Sequence, residues 1–225
     1  MCGKFTQMMS WSEVHSFSEL TMVSARADDA EEFTTPMRFA HIVRLGADGR
    51  RESVRMRWGF MALDSKTPID RPRHMHAKAE TVDRLPTFRD AFARARGLAI
   101  VRTFNVGEEV SPRKTIQHTV TPNDGKPIGI AVIWERWTHR TEGELLTFCM
   151  VTTEANKLVS RATDRMPAVI PPEHWGTWLG ETDASLEEIK ALLVPYEGDW
   201  RMERQKPSKP PKRRAPDTQP DLFGR

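Results

Sequence analysis

The chain has few cysteines and no long apolar run. Cys2 and Cys149 are its only cysteines in 225 residues, which argues against a disulfide framework or a zinc–cysteine cluster and favours a reducing compartment. No stretch approaches the roughly 18 consecutive apolar residues of a membrane span. The N-terminus also lacks the basic and then apolar pattern of a signal peptide. We therefore expect a cytoplasmic protein without a membrane segment.

Excess positive charge is missing from most of the chain. Residues 201–225 carry eight Lys/Arg and three Asp/Glu, a net of +5, so residues 1–200 sum to −2 within the total of +3. A body of this charge can bind nucleic acid only through a local patch. The tail is rich in Pro and Lys/Arg and lacks an apolar period, which predicts disorder. The expected organisation is one domain over 1–200 and a disordered basic tail over 201–225.

Strand signals outnumber helix signals. A Gly-Ala-Asp-Gly turn splits 41–60 into two predicted strands, and Asn123-Asp124-Gly125 predicts a hairpin between two later ones. Further strands are expected at 98–104, 117–122, 127–137 and 145–153, and helices at 11–17, 88–95, 174–179 and 185–193. The last helix begins with a capping box, Ser185 to Glu188. The pattern predicts an α+β domain with a mainly antiparallel sheet or open barrel.

The first five residues, MCGKF, place a thiol where structural packing is poor, because chain termini fray. If Met1 is removed, Cys2 becomes the N-terminus and carries an α-amine and a thiol on adjacent carbons. A 1,2-aminothiol can close a five-membered ring on an aldehyde. Both nucleophiles lie on one residue, so the second step is intramolecular and gains from proximity.

Several ordered motifs resemble the SRAP family (SOS response-associated peptidases, also called abasic-site processing proteins). They run from residue 1 to about 180: MCGKF, RWGF at 57–60, HAKAETV at 76–82, IWERW at 133–137 and TDRMPAVI at 163–170. The resemblance implies a barrel-like, mainly antiparallel sheet with flanking helices. It implies that Cys2 attacks the aldehyde of an abasic site in single-stranded DNA and closes a thiazolidine cross-link. A lyase activity, an autopeptidase activity, a role in the SOS response and association with the nucleoid follow from the same resemblance.

The chain departs from the family at the expected active site. His76 stands at the motif's Asn position and Thr163 at its His position, while the segment that supplies the family's Glu is replaced by RTFNVGEEV, in which Glu108 matches best and Glu109 next. Two hypotheses follow. Either Cys2, His76, Glu108 and Thr163 form a rearranged catalytic site, or the site is degenerate and the domain only binds DNA.

Contacts to DNA are implied by the same motif positions. Lys4 and Lys78 replace family arginines, and Arg165 matches the motif's Arg; Trp58 could stack on a base or belong to the core. Cys149 lies in an apolar run and is expected to be inert core.

We expect neither a cofactor nor a metal ion. His74 and His76 would share a face of a strand, but spacing places no third ligand for zinc beside them.

The last residues, QPDLFGR, resemble the peptide by which bacterial repair proteins bind the sliding clamp. Leu222 and Phe223 would enter an apolar pocket and Gln219 would hydrogen-bond at its rim. The alternative is a solvated tail that adds non-specific DNA affinity. A monomer is expected, with single-stranded DNA as a partner and, in the first interpretation of the tail, the clamp as a second.

Overall fold

The computed structural model describes residues 3–7, 32–65, 73–112, 114–139 and 143–205. In chain order the strands are β1 Lys4–Gln7, β2 Glu32–Thr34, β3 Phe39–Leu45, β4 Arg51–Trp58, β5 His76–Lys78, β6 Arg96–Val101, β7 Thr103–Ser111, β8 Lys114–Pro122, β9 Ile128–His139, β10 Gly143–Glu154, β11 Arg165–Pro167, β12 Val169–Ile170 and β13 Trp200–Arg204. The α-helices are α1 Pro86–Arg94, α2 Trp175–Leu179 and α3 Leu186–Ala191. Within the described residues, none of these helices has the length and apolar character to cross a bilayer.

Two sheets organise these strands. In the larger, β10 pairs with β4 and with β9, and the path β10–β4–β3–β6–β9 closes on itself as a barrel. Strands β4 and β5 run parallel to β10, and the other pairings are antiparallel. The second sheet has the order β13–β8–β7–β1–β2. The chain passes from the barrel to the second sheet at Arg102, between β6 and β7.

Apolar side chains divide between the two faces of the barrel wall. One buried cluster fills the barrel and extends to the second sheet, with Trp58, Phe148, Phe5 and Phe104 among its members. The other lies under the helices on the outer face. Alternation of side chains along each strand sends neighbouring residues to opposite clusters, which is why β10 reads as a continuous apolar run.

Helices α1 and α3 form for reasons that are readable in the sequence. Pro86 opens α1, and Phe88, Ala91 and Phe92 recur at helical spacing and are buried. Helix α3 has both hydrogen bonds of a capping box: the Ser185 side chain accepts from the Glu188 backbone, and Glu188 accepts from the Ser185 backbone. Both helices were predicted correctly, whereas the one expected at 11–17 lies outside the described residues.

Two sequence predictions need correction. Asn123-Asp124-Gly125 does turn the chain, with Gly125 at φ +69°, but β8 and β9 belong to different sheets, so it closes no hairpin. Instead β8 pairs with β13, and Asn123 donates from its side chain to Asp199 over 2.8 Å. Strand β13 also carries the fold through Arg204, beyond the expected boundary at 200, because Trp200 is buried against Phe104.

Candidate active site at the N-terminal strand

The N-terminal strand is held inside the second sheet. Strand β1 is paired antiparallel on both sides, with Phe5 opposite Thr34 of β2 and opposite Phe104 of β7. The Phe5 ring is fully buried. Cys2 itself lies outside the described residues, two positions before Lys4 in the sequence.

Trp58 connects β1 to the barrel. Its indole lies 5.2 Å from the Phe5 ring and 6.0 Å from the His76 ring between centroids, the latter edge-on. The indole Nε1 donates to the Met75 carbonyl over 3.0 Å. The side chain is fully buried, which favours the core interpretation of Trp58 over direct stacking on a base. Gly59, at φ +136°, then turns the chain out of β4, which gives the RWGF motif a physical reason.

His76 begins the short strand β5, which runs parallel to β10 with His76 beside Met150. Because Met150 belongs to the barrel cluster, the imidazole faces the barrel and is half-buried. Two residues on, Lys78 is exposed on the same face. The motif HAKAETV therefore presents an imidazole and an ammonium to one side of the fold.

The guanidinium of Arg165 is hydrogen-bonded to other residues of the protein. Its Nη1 and Nη2 donate to the two carboxylate oxygens of Glu80 over 2.6 and 3.0 Å, and Nη2 also donates to the Thr152 carbonyl over 2.6 Å. The hydrogen bond from Arg165 lowers the pKa of Glu80. Since β5 and β11 both pair with β10, this guanidinium ties the end of β5 to β11. The geometry favours a positioning role for Arg165 over a contact with a phosphate.

Thr163 lies just before β11, after a 3₁₀ turn at Val159–Arg161. Its backbone N–H donates to the Val159 carbonyl over 3.1 Å, and its hydroxyl lies 3.4 Å from the Asp164 carboxylate. The residue as a whole is half-buried. A threonine hydroxyl can donate a hydrogen bond but cannot act as a base near neutral pH.

The Glu108 carboxylate contacts a histidine, His118, that was not predicted from the sequence. Its Oε2 lies 2.8 Å from Nε2 of His118 on the neighbouring strand β8. His118 is the cross-strand partner of Val106, and Glu108 follows Val106 by two residues. The side chains of Glu108 and His118 therefore lie on the same face of the sheet, which is also the face of Phe104. Glu109 points to the opposite face and is exposed. Residues 116, 118 and 120 alternate along β8 and end at buried Val120. This alternation could have indicated from the sequence that His118 faces the core side of the sheet.

A buried amide lies next to Lys4. Asn105 is the cross-strand partner of Lys4 and is 1% exposed. Within the part of the chain that the structure describes, neither its Oδ1 nor its Nδ2 has a hydrogen-bond partner. A buried amide without partners is costly. Lys4 is itself half-buried, so the strand pair β1–β7 places an ammonium and an amide side by side on one face of the sheet.

The comparison with known families decides the identity of this fold. The model of the SRAP family, SOS response associated peptidase, matches residues 1–207. This chain belongs to the SRAP family. Two SRAP relatives from Bacillus subtilis (strain 168), the abasic site processing proteins YoaM and YobE, are 22% and 23% identical to it, and each match covers 88% of this chain and 88% and 91% of theirs.

Solved structures show the same fold. A protein from Bacteroides thetaiotaomicron superposes with a TM-score of 0.77 at 20% identity, over 91% of this chain and 92% of its own. One from Bordetella bronchiseptica superposes with a TM-score of 0.73 at 20% identity, over 91% of this chain and 100% of its own. The SRAP-like α+β fold expected from the sequence is confirmed.

The predicted pair of histidines does not share a face in this SRAP chain. His74 has a left-handed φ of +46° and its ring packs on Phe88, whereas His76 packs on Trp58 in the other cluster. The expectation that they lie together on a strand was wrong, because β5 begins only at His76. Among the described residues, no three His, Cys, Asp or Glu side chains come together to hold a metal ion.

Cys149 is fully buried in β10, and burial raises the pKa of its thiol well above the ordinary value. A thiol in this environment is a poor nucleophile. Gln219, Leu222 and Phe223, the residues expected to bind the clamp, lie outside the described residues, as does Cys2.

Proposed function

We propose that this chain processes abasic sites in single-stranded DNA by forming a covalent thiazolidine cross-link through Cys2. The observation that carries the proposal is the placement of β1. A strand that begins two residues after Cys2 is paired on both sides and anchored by buried Phe5. Pairing on both sides fixes β1 in its sheet, and we propose that this restricts the motion of an aminothiol two residues before it. The names of the Bacillus relatives, abasic site processing proteins, supply the substrate class.

The chemistry follows from the aminothiol. The α-amine adds to the aldehyde of the open-chain sugar, water leaves, and the thiol closes a five-membered ring. An α-amine has a reference pKa of about 7.7–8.0, so an appreciable neutral fraction exists near pH 7. Removal of Met1 is required first, and we include autocatalytic removal in the proposal because the family is named for a peptidase.

Other side chains are proposed to orient the substrate, to transfer protons and to contact phosphates. His76 packs edge-on against Trp58, and its proposed role is to orient the substrate or to transfer a proton. Glu108 acts through His118, and Thr163 offers a hydroxyl donor. Exposed Lys78 and half-buried Lys4 are the proposed phosphate contacts, each as a single point charge.

A denaturing gel tests this function. Purified full-length protein is incubated with a single-stranded oligonucleotide carrying one abasic site, and with the intact oligonucleotide as control. We expect a heat-stable shifted band for wild type and for Cys149→Ala, whose thiol is buried core, and none for Cys2→Ala. If wild type whose Met1 is shown by mass to be absent gives no band, the cross-linking function is wrong and a DNA-binding module remains.

We propose further that the tail binds the sliding clamp through Gln219, Leu222 and Phe223, on the sequence QPDLFGR alone. Full-length wild type should co-elute with the clamp, and the Leu222→Ala/Phe223→Ala variant should not. Equal co-elution of both would contradict this part of the proposal without affecting the cross-linking function.

A further inference from the structure

Two cations without a carboxylate partner stand on the turn that precedes Thr163. Lys157 and Arg161 are both exposed, and neither makes an ion pair with any residue that the structure describes. The carboxylates nearest to them in sequence, those of Glu154 and Asp164, are exposed and are not paired with either cation. The two positive charges are therefore left for a partner outside the described part of the chain.

The backbone of this turn is held by buried contacts. The side chain of Asn156, itself 2% exposed, accepts a hydrogen bond from the Val159 N–H over 2.9 Å and donates one to the Tyr196 carbonyl over 2.8 Å. The Val159 side chain is fully buried in the barrel cluster. The turn is thus anchored on its inner side, and Lys157 and Arg161 are presented on its exposed side.

Lys157 and Arg161 are neighbours on that exposed side. The backbone hydrogen bonds from Ser160 to Asn156 and from Thr163 to residue 159 each span four residues, as in an α-helix. Side chains four residues apart on such a turn have Cβ atoms about 5–6 Å apart, and like charges at this spacing destabilise it. Two cations kept side by side without a carboxylate are therefore unexplained by stability, whereas a bound phosphate would neutralise them.

The turn lies at the same end of the barrel as Lys78. Lys78 is beside Thr152 of β10, and the turn begins at Asn156, four residues further along the chain and so at most about 14 Å from Thr152. With neighbouring strands about 4.8 Å apart, Lys78 and Asn156 have Cα atoms no more than about 19 Å apart. A strand with one phosphate per 3.4 Å covers that distance in about six nucleotides.

We propose that Lys157 and Arg161 bind phosphates of single-stranded DNA and continue the contact that begins at Lys78. This inference rests on the proposed function and deepens it, because both residues lie outside the motifs from which DNA contacts were predicted. Each cation neutralises a phosphate and releases counterions, Lys157 as a point charge and Arg161 through its planar fork of donors. Their role is to set the affinity for DNA, not the rate of the chemistry once DNA is bound.

The test measures binding apart from chemistry, on a single-stranded oligonucleotide with a tetrahydrofuran abasic analogue, which has no aldehyde. We compare full-length wild type with Lys157→Ala/Arg161→Ala. The control, Arg50→Ala/Arg136→Ala, removes two exposed, ion-paired arginines towards the other end of β10.

Each lost phosphate contact should lower the salt slope by about 0.7, which at 0.1 M salt weakens binding about fivefold. We therefore expect Lys157→Ala/Arg161→Ala to lower the slope by about 1.4 and to bind about 25-fold more weakly. The control variant and the charge-retaining Lys157→Arg/Arg161→Lys should keep the wild-type slope.

Adduct formation on a true abasic site separates this inference from the proposed function. Lys157→Ala/Arg161→Ala should need about 25-fold more DNA for its half-maximal rate and should reach the wild-type rate at saturation. A wild-type salt slope in this variant would overturn the inference, as would an equal loss of slope in the control, and a Cys2-dependent adduct of wild type would leave the proposed function intact. If wild type forms no adduct but Lys157→Ala/Arg161→Ala still loses slope, the phosphate contacts stand and the cross-linking function is wrong.

Discussion

His76 and His118 lie in different sheets, and their surroundings differ in kind. His76 lies in the barrel, against the edge of a fully buried indole that also supports Phe5. His118 lies in the second sheet, against a partly exposed carboxylate. The first environment is dominated by packing and the second by charge. We infer that the barrel side mainly fixes the position of β1, through the contact of Trp58 with Phe5.

Replacing Trp58 should have the largest effect. Trp58→Ala removes the ring that connects Phe5, His76 and Phe148, and we expect the free energy of unfolding to fall by about 3–5 kcal/mol. Chemical denaturation measures this. Trp58→Phe, which keeps most of the packing and loses the bond to Met75, should lose less than half as much; an equal loss would contradict a packing role.

Substitution of Arg165 should mainly lower stability, whereas substitution of Lys78 should mainly weaken DNA binding. Arg165→Ala breaks the bonds to Glu80 and Thr152 and should cost about 2 kcal/mol, because Glu80 remains half-exposed and is partly rehydrated. Lys78→Ala should change stability by less than about 0.5 kcal/mol but reduce the salt slope of binding to single-stranded DNA by about 0.7. If Arg165→Ala lowered the salt slope and left stability unchanged, Arg165 would be a phosphate contact after all.

The pair in the second sheet should contribute little to stability. His118→Gln and Glu108→Gln should each change the free energy of unfolding by no more than about 1 kcal/mol, as for partly exposed ion pairs. Thermal melts at neutral pH check this. A loss as large as that of Trp58→Ala would remove the contrast between the two histidines.

The smallest expected effect is a pH dependence at Glu80. The hydrogen bond from Arg165 lowers its pKa below the ordinary 4.5, so its contribution to stability is present above that value and is lost as the pH falls through the lower, folded-state pKa. The difference in melting temperature between wild type and Glu80→Gln should therefore shrink below about pH 4.5. In an Arg165→Gln background that difference should be small at every pH, and a persistent pH dependence there would point to another partner.

Features that depend on neighbouring residues could be predicted from the sequence better than pairings between distant strands. The capping box at Ser185, the helix around Phe88 and the motif that contains His76 depend on neighbouring residues, and they could be predicted. The barrel closure through β10 and the Glu108–His118 pair depend on strand register between distant segments, which no local pattern specifies. The same reason explains the wrong hairpin at Asn123, where pairing with β13 replaced pairing between consecutive strands.

The most direct test of the account is to locate the DNA adduct by mass spectrometry. Trypsin cleavage after Lys4 releases the peptide Cys2-Gly3-Lys4 from the cross-linked protein. We expect the abasic-sugar remnant on this peptide without reductive trapping. The Cys2 amine should be blocked and its sulfur should resist alkylation. A remnant on the ε-amine of Lys4 or Lys78, seen only after borohydride reduction, would show lysine imine chemistry and contradict it.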